Sequence, residues 1–124
     1  MFPFRTITRA VVAVALATTV LAVVAEPAYA LGTVSVTDTA VTEGSGGSSS
    51  LSFVVSLSNA NPVAVTVNYA TSDGSAVAGS DYTATSGTVT IPAGSMSETV
   101  LVPVTTDSFP EPNETLTLTL SNPS

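Results

Sequence analysis

The sequence predicts an all-β fold, an antiparallel sandwich of immunoglobulin-like architecture with about six or seven strands. Apolar residues recur with a period of two along nearly the whole chain after residue 30, and this period places alternate side chains on opposite faces of a strand. Thr and Val fill most of these runs, and their branched Cβ atoms suit a pleated sheet. Turn residues separate the runs at short intervals, and no amphipathic helical pattern is present.

Six alternating runs are the predicted strands, each with its apolar residues on one face. They lie at residues 34–36, 51–57, 63–69, 89–91, 100–104 and 116–120. A short further strand is predicted near 81–83. Glycine, proline, asparagine and aspartate mark the connections between the strands. The clearest are the Gly/Ser-rich loop 44–50, Asn61-Pro62, Asp73-Gly74, the hairpin connection 92–95 and the proline-stiffened loop 109–113.

Only residues 121–124 follow the last predicted strand. A closed sandwich of this kind has about seven strands. We therefore expect the final strand to be missing, which would leave unpaired backbone groups along one sheet edge. Such an edge can pair with a strand from a neighbouring domain or chain.

Residues 1–30 have the pattern of a secretory signal peptide, and residues 31–124 are the predicted domain. Arg5 and Arg9 form a positive n-region, residues 10–25 form an apolar run, and Ala28-Tyr29-Ala30 is a small-x-small cleavage site. The alternative is an uncleaved membrane anchor, which needs about 20 apolar residues. The shorter run favours cleavage. We expect a secreted, extracellular or cell-surface protein with no membrane span after cleavage.

The charged residues exclude most catalytic chemistry. The chain has nine acidic residues, two basic residues that are both arginine, and no Lys, His or Cys. Imidazole bases, thiolates, catalytic lysines, soft-metal sites and disulfides are therefore ruled out. Removal of residues 1–30 takes both arginines and Glu26 with it, so the remaining chain is wholly anionic. Such a chain cannot neutralise phosphates, and we expect no nucleic-acid partner. The acids that remain are Asp38, Glu43, Asp73, Asp81, Glu98, Asp107, Glu111 and Glu114.

Three segments carry a family resemblance. They are DGSAVAGSDY at 73–82, SGTVTIPAG at 86–94 and LTLTLSNP at 116–123. In this order they resemble the Calx-beta family over nearly all of residues 34–124. The resemblance implies a Greek-key sandwich of seven strands and, in some members, calcium bound at one end. Gly74 and Gly79 suit close backbone approach or positive φ, and Tyr82 offers a ring to the core and a hydroxyl to a hydrogen-bond partner.

The resemblance also implies a set of calcium ligands. The matching positions are Glu43, Asp81, Asp107, Glu111 and Glu114. Calcium takes six to eight oxygen ligands. Consecutive acids in the loop and acids from a final strand, both usual in the calcium-binding members, are lacking here, so we expect weak binding at roughly 10⁻⁴–10⁻³ M. The alternatives are that Asp73 and Asp81 only cap turns and that the other acids serve solubility.

The sequence therefore leaves two functions open. The first is a non-catalytic extracellular module, structural or adhesive, that binds calcium weakly. The second is a purely structural or protein-interaction sandwich with a degenerate metal site. An enzyme using a carboxylate pair would need a cleft lined with aromatic residues, and the four aromatics after residue 30 lie mostly at core-like positions. We therefore expect no enzymatic activity.

Overall fold

The computed structural model describes residues 33–44, 46–109 and 111–124, together with the backbone of residues 9–16. These residues form eight strands and no helix. The strands are β1 (Arg9–Leu16), β2 (Val34–Val36), β3 (Thr39–Glu43), β4 (Ser49–Leu57), β5 (Val65–Asp73), β6 (Ser86–Ile91), β7 (Ser97–Val104) and β8 (Glu114–Ser121). None of the described residues belongs to a helix with the length and apolar character needed to cross a bilayer.

The strands form two sheets. One has the order β3-β1-β8-β5-β6 and the other the order β2-β4-β7. From β2 onwards the chain passes repeatedly from one sheet to the other, and all pairings among β2–β8 are antiparallel. The predicted antiparallel sandwich is confirmed, and its crossovers are those of a Greek key.

The core lies between the sheets and follows the period of two. In β4, Leu51, Phe53 and Val55 are fully buried while the serines and Val54 between them face outwards. In β8, Leu116 and Leu118 are fully buried in the same manner. Burial of each such side chain contributes about 1.5–3 kcal/mol, and this term fixes the register because a slip of one residue would expose the whole set.

Two predictions about short strands need correction. Thr39–Glu43 forms β3, although its residues show only a weak alternation and no strand was predicted there. The strand predicted near 81–83 is absent, since Tyr82 makes only isolated bridges to Ala78 and Val104. Tyr82 has a high strand propensity, which favoured the prediction. No neighbouring strand among the described residues pairs with residues 81–83 over more than one residue, so no strand forms there.

The sheet edge beside β8 is paired with β1 in the full chain, and the open edge expected of residues 31–124 after cleavage stays a prediction. β1 lies between β3 and β8, running antiparallel to β3 and parallel to β8. A segment of the predicted signal peptide thus supplies the ladder at that position. The rest of residues 1–30, including the predicted cleavage site, lies outside the described residues, so the signal peptide remains a prediction.

Candidate metal centre

The acids of interest lie at one end of the sandwich, which we call the acidic end. It comprises the end of β3, the connection 74–85 between β5 and β6, the loop 105–113 between β7 and β8, and the start of β8. Backbone hydrogen bonds join these parts: the Thr105 amide donates to the Asp81 carbonyl at 3.0 Å, and the Ala76 amide donates to the Thr115 carbonyl at 2.9 Å. The acidic residues are therefore carried on segments held against one another.

A close approach of Gly74 to β8 positions the connection. A Cβ atom on Gly74 would lie 2.5 Å from the Thr115 carbonyl oxygen, closer than real Cβ atoms come to backbone oxygen. The Ser75 hydroxyl accepts a hydrogen bond from the Thr115 amide at 2.9 Å, and Ala76 beside it is fully buried. Gly79 has φ +92°, which favours glycine, so both glycines of the motif are required for the reasons that the sequence suggested.

Asp73 braces this connection from within. Its Oδ1 accepts hydrogen bonds from the Ala78 amide at 2.9 Å and from the Tyr82 hydroxyl at 2.5 Å. Burial, and after it the hydrogen bond to the Asp73 carboxylate, raises the pKa of Tyr82 to about 12. Asp73 therefore caps the turn, which is one of the roles that the sequence suggested for it. It also binds the hydroxyl of the buried Tyr82, a contact that the sequence did not indicate.

Asp81 is the best-positioned acid. It is 8% exposed, and its Oδ2 accepts a hydrogen bond from the Val77 amide at 2.6 Å. The Asp81 amide donates to the Val77 carbonyl at 2.9 Å, so both the side chain and the backbone of Asp81 are hydrogen-bonded to Val77. A carboxylate that is held by a neighbouring backbone amide in this way is pre-oriented to bind a ligand.

Three of the five predicted ligands converge. One carboxylate oxygen from each of Asp81, Glu111 and Glu114 lies within 4.8 Å of the others. Asp81 is buried, and both glutamates are half-buried. Three carboxylates this close repel one another unless a cation lies between them, and residues 33–124 contain no Lys, Arg or His.

The other two predicted ligands, Glu43 and Asp107, are joined by a hydrogen bond from a backbone amide to a carboxylate. Glu43 is 3% exposed, and its Oε1 accepts a hydrogen bond from the Asp107 amide at 3.0 Å. The Asp107 carboxylate accepts from the Phe109 amide at 2.8 Å, which makes an Asx-type turn. Thr106 donates from its hydroxyl to the Gly47 carbonyl at 2.8 Å. These hydrogen bonds help to shape the loop 105–113, and the assignment of Glu43 and Asp107 as ligands stays a prediction.

The cluster suits a hard divalent cation. Carboxylate oxygens are the ligands that calcium prefers, and three carboxylates offer between three and six of its six to eight oxygens, depending on bidentate binding. Backbone carbonyls and water would have to supply the remainder, as in many weak sites. Thiolate and imidazole ligands are excluded because the sequence has neither Cys nor His. The assignment of Asp81, Glu111 and Glu114 as ligands remains a prediction.

Comparisons with known proteins agree with the resemblance. The Calx-beta domain family matches residues 30–124. A crystal structure of the apo form of the Calx CBD1 domain has a TM-score of 0.52 and 28% identity, covering 63% of this chain and 67% of that one. A crystal structure of calcium binding domain CBD12 of CALX1.1 has a TM-score of 0.56 and 28% identity, covering 60% of this chain and 32% of that one. No curated protein matches the chain. The family match spans most of the chain and agrees with the observed sandwich, so this protein belongs to the Calx-beta domain family.

Proposed function

We propose that this protein is a non-catalytic Calx-beta module that binds calcium at the acidic end through Asp81, Glu111 and Glu114. The observation that carries the proposal is the convergence of three carboxylates within 4.8 Å in a chain whose structural neighbours include a calcium binding domain. The backbone supports it, since the same end is built around a buried Asp81 whose carboxylate is held by the Val77 amide.

Bound calcium would tie two segments together. Asp81 belongs to the connection 74–85, whereas Glu111 and Glu114 belong to the loop 105–113 and the start of β8. The cation would cancel the mutual repulsion of the three acids, so binding would be linked to folding. A ligand at ten times its Kd stabilises the folded state by about 1.4 kcal/mol.

The affinity should be low. Of the five acids expected from the resemblance, only three converge within 4.8 Å, and one carboxylate oxygen of Glu43 accepts a hydrogen bond from the Asp107 amide. We assign the site to the range of roughly 10⁻⁴–10⁻³ M that is typical of extracellular modules. The signal-peptide pattern of residues 1–30 supports export, which would place the domain on a secreted or cell-surface protein with a structural or adhesive role.

The second candidate is a structural or interaction sandwich with a degenerate metal site. It is favoured by the same placement of Glu43 and Asp107, which leaves the cluster with three carboxylates. In this case the three acids would serve solubility, and the partner would be another protein domain that pairs with a sheet edge.

Thermal unfolding of the full chain in EDTA and in 10 mM calcium separates the two. For a Kd of about 1 mM, the calcium-binding module gains about 1.4 kcal/mol, which raises the Tm by roughly 5–10 °C in a domain of this size. Asp81→Asn and Glu111→Gln should each remove most of the rise. Glu98→Gln is the matched control, because Glu98 is an exposed acid near the other end of β7. An unchanged Tm in the unaltered chain favours the degenerate site.

A further inference from the structure

Asp73 holds the turn that carries Asp81. Its Oδ1 accepts a hydrogen bond from the Ala78 amide at 2.9 Å, near the start of residues 77–82, and another from the Tyr82 hydroxyl at 2.5 Å, at their end. Tyr82 is buried and belongs to the core between the sheets. One carboxylate oxygen at the end of β5 therefore ties both ends of the turn to the body of the sandwich.

The Asp81 carboxylate depends on the same stretch of backbone. Its Oδ2 accepts from the Val77 amide at 2.6 Å, and the next amide, that of Ala78, is the one that donates to Asp73. Because consecutive amides donate to two different carboxylates, the bond to Asp73 restricts the backbone that holds Asp81. Without that bond the Val77 amide would be free to turn away, and the Asp81 side chain would gain conformations that a bound ligand must then remove.

Asp73 itself lies outside the carboxylate cluster. The acids that converge within 4.8 Å are Asp81, Glu111 and Glu114, whereas the Asp73 Oδ1 is occupied by two donors. Groups that orient a metal ligand in this way commonly change the affinity for the metal about 10- to 100-fold when they are removed. The contribution of the Asp73 charge alone is smaller, because Asp73 is exposed and its charge is screened by solvent.

We propose that Asp73 is the positioning residue of the candidate metal centre: it fixes the turn 77–82, orients the Asp81 carboxylate and thereby sets the affinity for calcium. Tyr82 takes part through its hydroxyl, which holds the Asp73 carboxylate against the core. The acceptor oxygen of Asp73 carries this role, not its charge. The effect on affinity rests on the proposed function, whereas the orientation of Asp81 is a property of the calcium-free chain.

Four variants of the full chain test the proposal. The Kd for calcium is measured from backbone amide shifts at a temperature at which each variant is folded, which separates affinity from stability. Asp73→Ala removes the acceptor, and we expect its Kd to rise about tenfold. Asp73→Asn keeps an oxygen acceptor and removes only the charge, so its Kd should stay close to that of the unaltered chain. Tyr82→Phe removes one of the two bonds and should give an intermediate Kd. Glu98→Ala is the charge-matched control, because Glu98 is an exposed acid outside the turn, and its Kd should not change.

The same samples in EDTA report on Asp81 without calcium. The temperature coefficient of the Val77 amide proton shift is small while this amide is hydrogen-bonded to the Asp81 carboxylate. We expect the coefficient to increase in Asp73→Ala and to return to its original value in Asp73→Asn. If Asp73→Ala does not fold, Tyr82→Phe takes its place, since it removes only a hydroxyl. A Kd and a Val77 coefficient in Tyr82→Phe equal to those of the unaltered chain would then count against the proposal.

Two results would overturn the proposal. One is an unchanged Kd in a folded Asp73→Ala. The other is a loss of affinity in Asp73→Asn as large as that in Asp73→Ala, which would assign the effect to charge. If the unaltered chain binds no calcium, the proposed function alone fails, and the Val77 coefficient decides on Asp73. An increase in Asp73→Ala that Asp73→Asn reverses supports the positioning role, and equal coefficients in all variants reject it.

Discussion

The two ends of the sandwich are closed by different kinds of contact. At the acidic end, carboxylates accept hydrogen bonds from the backbone, as Asp81 does from Val77 and Glu43 from Asp107. At the opposite end, neutral backbone groups bond to each other: the Gly94 amide donates to the Asn61 carbonyl at 2.7 Å, and Thr66 and Ser124 exchange two bonds at 2.9 Å. The acidic end gathers carboxylates whose charge a cation can compensate, whereas the loop contacts named at the opposite end join neutral backbone groups.

The comparison implies that residues at both ends contribute to stability, whereas only residues at the acidic end affect the response to calcium. A substitution at the opposite end should alter the free energy of unfolding without altering the effect of calcium. A substitution at the acidic end should alter both, because the segments that bear the acids are held by the same contacts that stabilise the loops. Matched pairs of residues at the two ends test this separation.

The largest difference is expected from a pair of glycines. Gly74→Ala should cost more than about 2 kcal/mol, since its Cβ would meet the Thr115 backbone at 2.5 Å and the connection would have to move away from β8. Gly94→Ala should cost about 1–2 kcal/mol, because Gly94 has φ +80° but open space around the added atom. Urea unfolding measures both costs. Only Gly74→Ala should reduce the calcium-induced rise in Tm, and an equal loss in both variants would break the comparison.

Tyr82 makes the acidic end sensitive to alkaline pH. Its folded-state pKa of about 12 lies above the usual value near 10, so its contribution is fully present below pH 10 and is lost as the pH rises towards 12. Tyr82→Phe should lower stability at pH 8 by about 1.5–3 kcal/mol, because the hydrogen bond to Asp73 is lost.

The same variant should remove the corresponding alkaline loss. Denaturant unfolding between pH 8 and 12 measures the stability, and tyrosine absorbance follows the ionisation. An unaltered pH dependence in Tyr82→Phe would show that another group governs the alkaline limit.

A pair of serines provides the smallest and most closely matched difference. Ser75 at the acidic end accepts from the Thr115 amide at 2.9 Å, and Ser58 at the opposite end accepts from the Thr33 amide at 2.8 Å. Both bonds are exposed, so either serine-to-alanine change should cost about 0.5–1.5 kcal/mol. Calcium affinity, measured by titration calorimetry, should fall only in Ser75→Ala, since Thr115 adjoins Glu114. Equal calcium affinities in the two variants would show that calcium binding depends on the acids and not on the Ser75–Thr115 hydrogen bond.

The strands of the core could be predicted because burial dictates their pattern. Leu51, Phe53, Val55 and Leu57 had to share a face, and the sandwich buries all four. β3 escaped prediction because only Glu43 of its five residues is buried, so the pattern carried little signal. β1 escaped because its residues have the composition of an export signal, and no local pattern shows that they can also complete a ladder.

The candidate site was predictable only in part. Asp81 is distant in sequence from Glu111 and Glu114, and the family resemblance, not their spacing, suggested that the three would meet. The engagement of Glu43 with the Asp107 amide depends on the path of the loop 105–113, which composition does not determine. The bond between Asp73 and Tyr82 likewise needs the turn at Gly79. Side chains on irregular backbone are placed by contacts that are distant in sequence.

The central claim is that calcium acts at one end of this sandwich. A calcium titration followed by amide chemical shifts of the isotope-labelled full chain tests it most directly. We predict that the amides of Val77, Asp81 and Thr105 shift together with a Kd in the range of roughly 10⁻⁴–10⁻³ M, while those of Gly94, Ser58 and Ser124 stay in place. Asp81→Asn should abolish the shifts, and Glu98→Gln should preserve them. Shifts that are absent, or that spread equally over both ends, would contradict the claim.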